Sequence, residues 1–202
     1  MLYKGAFGLF RVLLGLALLG SIFWQVADRI RVDRFRPLEY FSFFSIDSSI
    51  FAGFVVLFSG LWLLQGKTET ERQNVLRLVA TVSMIIVGVV YHALLGDSAV
   101  APEDIGYEWP RIPNLYLISI KGAKPKLRKA LWVVVYPLTW LFLSIIRGLA
   151  DGWWPYWFIN PGSEGGVAGM ITYILLIAAG FISLGFIVLG VRLTAIKLLG
   201  SS

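Results

Sequence analysis

Cysteine is absent from this chain of 202 residues. Disulfide bonds, thiol catalysis and cysteine-based metal sites are therefore excluded. A single histidine, His92, excludes a multi-histidine metal centre as well, and no pattern in the sequence calls for a metal or a cofactor. Charge is scarce: 15% of residues are Asp, Glu, Lys or Arg, against about a quarter in soluble domains. Hydrophobic residues make up 57% of the chain. They come in long blocks, not at helical or alternating spacing, and an apolar block of about 20 residues matches the hydrocarbon thickness of a bilayer. The fold class that follows is all-α, a polytopic transmembrane helix bundle forming one domain over residues 1–202, because the spans need one another for packing.

Five blocks are long enough to cross: residues 5–26, 40–64, 76–95, 130–149 and 167–191. The first is too long for a secretory leader, and no small-x-small cleavage site follows it, so it reads as a retained span. Between the third and fifth positions lies a shortened fourth segment, residues 112–120, bounded by Pro110 and Pro113 on one side and Lys121 on the other. Nine helical residues reach only about 14 Å, half a bilayer.

The formal charge of +6 is what cytoplasmic loops of a membrane protein retain. No basic, aromatic-interleaved soluble module is present, so nucleic acid is not expected as a partner; membrane lipid is. Lys121, Lys124, Lys126, Arg128 and Lys129 carry five positive charges without an acid, whereas the stretch holding Asp97, Glu103, Asp104 and Glu108 has one Arg. With Lys4, Arg192 and Lys197, these charges put both termini inside a cell membrane, bacterial by preference. The loop from Asp28 to Glu39, with four Arg and three acids, opposes that topology. Gly15, Gly20, the Gly165-x-x-x-Gly169 pair, Gly180, Gly185 and Gly190 suit close helix contact in lipid.

Polar residues inside or beside the spans are the candidate site, since ionisable groups there are costly. Ser42, Ser45 and Ser49 share one face of the second span, and Asp47 lies within it. Tyr136, Trp140, Ser144 and Arg147 share a face of the fifth span, where an Arg147–Asp47 ion pair is one arrangement and a snorkelling arginine another. Tyr91 and His92 close the third span. Arg11, deep in the first, is expected against a carboxylate or carbonyls. The run Gly152-Trp153-Trp154-Pro155-Tyr156-Trp157-Phe158, followed by Asn160-Pro161, reads as an interfacial aromatic belt with a fixed turn. The topology brings Ser42, Tyr91, His92, Arg147 and the Trp153–Phe158 run to the outer side, where a pocket is expected.

The same residues carry a resemblance. In Phe41-Ser42-x-x-Ser45, Val90-Tyr91-His92, Tyr136-Pro137, Arg147-Gly148, Gly152-Trp153-Trp154-Pro155-Tyr156 and Asn160-Pro161, the chain resembles the bacterial Pr-six-Pr membrane proteins. These are relatives of the animal androgen-induced, FAR-seventeen-like membrane proteins. The resemblance implies a six-helix bundle. Its animal members are threonine hydrolases that cleave fatty-acid esters of hydroxy fatty acids, with the nucleophile opening the second span, where this chain has Ser42. Their partner histidine stands ahead of a proline at the start of the fourth span. Here that stretch reads Tyr107-Glu108-Trp109-Pro110-Arg111-Ile112-Pro113, without histidine, and Ile46 stands where bacterial relatives commonly have Asn.

Three readings are open at this stage. The first is a lipid-ester hydrolase with Ser42 as nucleophile and His92 or Glu108 as base. Arg147 or Tyr91 would then stabilise the oxyanion, and Asp47, Tyr136, Trp153 and Tyr156 would line the binding pocket. The second is a non-catalytic membrane binding or structural protein. The third is a small transporter or channel subunit with Asp47 and Arg147 along a polar path, against which stands the absence of a repeated broken-helix pattern.

Overall fold

A computed structural model describes residues 2–95 and 127–199. Every element among them is helical: α1 (Leu2–Arg31), the one-turn α2 (Pro37–Tyr40), α3 (Phe44–Leu64), α4 (Glu71–Val90) and its π-helical extension Tyr91–Leu95, a 3₁₀ stretch (Leu127–Val134) leading into α5 (Val135–Asp151), a short 3₁₀ turn (Trp157–Ile159), and α6 (Gly166–Leu199). Among the described residues five helices are long and apolar enough to cross a membrane, and the chain is a multi-pass membrane protein. The fourth segment, Glu108 and most of the lysine cluster lie outside the described residues.

Several helices outrun their apolar blocks. α1 continues through Arg29 and Arg31, whose charges favour the negative C-terminal end of the helix dipole. α4 starts five residues before the apolar run, at Glu71. Thr70 accepts from the Gln73 amide while the Gln73 side chain returns to the Thr70 amide, a reciprocal cap that satisfies two otherwise orphan donors. α5 ends where Gly152 takes φ +76° and its N–H bonds the Gly148 carbonyl at 3.1 Å, a left-handed position that glycine enters without steric cost.

α1 packs antiparallel on α3 through small residues. A Cβ added at Gly15 would meet the Leu57 backbone at 2.7 Å, and one at Gly60 would meet the Gly8 carbonyl and the Val12 amide at 2.8 Å. In lipid, where apolar contact alone drives little association, such close approach supplies the helix–helix packing. α3 packs on α4, and α4 on α6 and the 3₁₀ stretch. The buried core is Phe44, Leu78, Val82, Ile86, Val133 and Phe181.

α5 differs from the other spans. Among the described residues its closest backbone packing is with the 3₁₀ stretch before it, and side chains bridge it to α3. Tyr136 sits beside Asp47 and Phe51, and Arg147 reaches Leu38 and Ser42, so α5 runs antiparallel to α3 and parallel to α4. The end of α4 and the start of the 3₁₀ stretch therefore lie at opposite ends of the bundle, and the N-terminus of α1 and the C-terminus of α6 lie at the same end.

Candidate functional site

Among the described residues two polar clusters form, one at each end. At the end holding the start of α1, Arg11, Glu69, Asn74 and Arg77 are all buried. Arg11 bonds Glu69 Oε1 at 2.5 Å and Ser59 Oγ at 3.4 Å. Arg77 donates to the same Glu69 oxygen and to Asn74 Oδ1. One loop carboxylate thus joins α1 to α4, and Ser59 adds α3. Arg192 of α6 is buried toward this end as well. The carboxylate partner expected for Arg11 is present. Glu69 and Arg77 were not singled out from sequence, although an arginine between Leu76 and Leu78 was a visible signal.

At the opposite end the aromatic segment closes the bundle. Trp153 N–H bonds Asp151 Oδ1 at 2.9 Å, and Gly162 N–H bonds Asn160 Oδ1 at 2.8 Å. Two side-chain turns therefore fix both ends of residues 153–161. Arg147 is the clamp. Its Nη1 donates to the Leu38 carbonyl and to Ser42 Oγ, its Nε bonds Asp151 Oδ2 at 3.1 Å, and its guanidinium lies 4.2 Å over the Trp153 ring. Trp154 packs onto Gly148, where a Cβ would collide with the indole.

Ser42 and Arg147 do meet, but not as a reactive pair. Ser42 Oγ donates its proton to Leu38 O at 2.6 Å and accepts from Arg147. Trp140 Nε1 bonds the Ser42 carbonyl at 2.9 Å. His92 is exposed on the π-helical turn, and its Nδ1 lies 2.8 Å from Gly88 O. Tyr91 stacks edge-on against it at 5.7 Å. No hydrogen bond joins Ser42 to an imidazole or a carboxylate among the described residues. The Arg147–Asp47 ion pair does not form either. Asp47 instead accepts from Tyr136 at 2.7 Å, and Arg147 takes Asp151, four residues on in its own helix, a neighbour within reach without crossing the bundle.

Below the aromatic segment lies a cavity of about 450 Å³. Its floor is Phe44, Ile86 and Phe181, its walls include Trp140 and Ile177, and residues 155–159 form its roof. Leu138 and Trp157, both exposed, mark its open side. None of the described residues lining it is charged. Tyr156 hangs from the roof, stacked on Phe158 with ring centroids 5.0 Å apart and edge-on to Phe43 at 5.7 Å. Its hydroxyl oxygen accepts from the Ser45 N–H at 3.4 Å, at the start of α3, where the Phe43 side chain provides no cap. Burial pushes the Tyr156 phenol up, and hydrogen bonds from the Ser45 side chain and the Ser45 and Phe44 amides only partly offset this, so the phenol keeps its proton. Sequence reasoning fixed on Ser42 as the important hydroxyl; Ser45, three residues along, is the serine that lines the cavity.

Comparisons with family models, curated proteins and solved structures find no match to this chain.

Proposed function

We propose that this membrane protein binds the apolar chain of a membrane lipid in the cavity beneath residues 155–159, without hydrolysing it. The observation that carries this reading is the cavity. Its volume of about 450 Å³ falls within the roughly 300–1,000 Å³ of small-molecule sites, and its lining suits hydrocarbon. The roof closes it toward the membrane surface, while Leu138, on α5, opens it toward lipid. Binding is favoured over hydrolysis because Ser42 is held by Leu38 O and Arg147, outside the cavity lining and away from any described base. A serine hydroxyl without an activating partner is a weak nucleophile.

Membership of the Pr-six-Pr group is part of the same proposal. Its support is that Ser42, Ser45, Arg147, Trp153 and Tyr156, which carry the resemblance, gather around one clamp and one cavity. We also place the protein in a bacterial cytoplasmic membrane with both termini inside. Lys67, Arg72 and Arg77 adjoin the end that holds Lys4, Arg192 and Lys197, and Lys and Arg collect on the cytoplasmic side. At the other end Arg31 and Arg36 are engaged by Asp28 and Glu39.

A diazirine-tailed acyl probe tests the reading. Irradiated with the purified protein, it should label peptides holding Ile86–Tyr91 and Ile174–Phe181. Labelling no stronger there than on the lipid-facing residues Leu9, Leu13 and Leu16 of α1 would contradict it.

A further inference from the structure

We propose that Ser45 and Tyr156 together form a two-hydroxyl site that binds the carbonyl oxygen of an uncharged long-chain lipid. The inference rests on the cavity reading above and adds what the cavity selects.

An apolar cavity holds any hydrocarbon of suitable size; polar groups placed within it choose among them. Ser45 spends its backbone groups elsewhere: its N–H goes to Tyr156, and its carbonyl accepts from Ser48 and Ser49. Its hydroxyl donates to the Tyr156 oxygen, so serine and phenol act as one unit at the cavity wall. Tyr156 uses its oxygen as an acceptor and retains its own proton as a donor. Two polar groups nearby are committed elsewhere: Trp140 Nε1 to the Ser42 carbonyl, and Ser42 Oγ to Leu38 and Arg147. The ligand group that matches a phenol donor, held in place by a serine at the start of a helix, is an oxygen acceptor.

Charge decides which acceptor. No Lys, Arg or His is among the described residues lining the cavity, and burying a carboxylate without a counter-charge is costly. Asp47, in the first turn of α3, offsets the positive end of that helix and further disfavours an anion. A neutral carbonyl, as in a long-chain ketone, aldehyde or ester, meets both conditions.

The test uses the full chain in detergent micelles and competition against a pyrene-tailed alkane. Three competitors of equal length are compared: a methyl ketone, the alkane, and the fatty acid at a pH where it is ionised. The ketone is expected to bind about tenfold tighter than the alkane, the size of one buried hydrogen bond, and tighter than the ionised acid. Ser45→Ala and Tyr156→Phe should each reduce the ketone-to-alkane ratio, and the double variant should bring it near one. The ratio is read on the same variant, so a general loss of cavity binding, which weakens both competitors alike, is distinguished from loss of the hydroxyls. Equal binding of ketone and alkane to the natural protein would overturn the two-hydroxyl site while leaving the cavity reading standing. Tighter binding of the ionised acid would overturn the uncharged class. Failure of all three to displace the probe would overturn both proposals.

Discussion

Tyr136 donates a hydrogen bond to Asp47 at 2.7 Å across the gap between α5 and α3. The two residues are 89 positions apart, and the Tyr136 ring also stacks on Phe51 with centroids 4.8 Å apart. α5 is thus held to the bundle by side chains where its backbone stands away. Removing the donor by Tyr136→Phe keeps the stack but strands the Asp47 oxygen, at a cost of about 1–3 kcal/mol. A lower thermal midpoint is expected for Tyr136→Phe, with partial recovery in a Tyr136→Phe/Asp47→Leu double variant, since removing both polar partners costs less than removing one. Unchanged melting of Tyr136→Phe would show that the bond contributes nothing.

Glu69 joins two buried arginines from different helices. Breaking a buried ion pair on one side costs about 3–5 kcal/mol, because the remaining charge is uncompensated. Glu69→Gln should therefore destabilise the fold far more than Glu39→Gln, whose partner Arg36 is largely exposed. Chemical denaturation of the two variants in the same detergent makes the comparison, and similar midpoints would contradict it.

At Gly15 an added Cβ meets backbone atoms of α3 at 2.7 Å, which a side-chain rotation cannot relieve. Gly15→Ala should separate α1 from α3 and speed proteolysis of the loop between α1 and α2. Gly20, with open space around its Cβ position, is the control, and Gly20→Ala should leave cleavage unchanged.

The Arg147 fork serves four partners at once: Leu38 O, Ser42 Oγ, Asp151 and the Trp153 ring. Lysine keeps the charge but cannot reproduce that planar geometry. Arg147→Lys should loosen the roof, red-shift the tryptophan emission as water reaches Trp153, and weaken lipid binding severalfold. An unshifted spectrum with unchanged binding would remove Arg147 from its role as clamp.

A serine-directed fluorophosphonate separates binding from hydrolysis. With its proton committed to Leu38 O, Ser42 is expected to remain unlabelled. Labelling that disappears in Ser42→Ala would replace the binding proposal with the hydrolytic one.

The spans were legible because each apolar block had to match a bilayer, and this constraint acts on single segments. Their ends were less so. Arg29 and Arg31 end the apolar block in α1 without ending the helix, and the polar first turn of α4 is invisible to hydropathy although Thr70-x-x-Gln73 marks it. The gathering of Ser42, Arg147 and Trp153 followed from alternating span direction. Their partners did not: an i, i+4 carboxylate at Asp151 satisfied Arg147, and a neutral phenol satisfied Asp47. The cavity depends on how far α5 stands from its neighbours, a property of packed side chains that no single segment encodes. Ser45 could therefore be placed on the same face as Ser42, but not distinguished as the serine lining the cavity.

The most direct test of lipid binding is native mass spectrometry of the purified chain, beside an Ala178→Trp variant whose indole fills the cavity from α6. The natural protein is expected to retain one lipid-sized adduct per chain after detergent removal, and Ala178→Trp to lose it while keeping its thermal midpoint. An adduct-free natural protein, or equal adduct on a folded Ala178→Trp, would contradict the account.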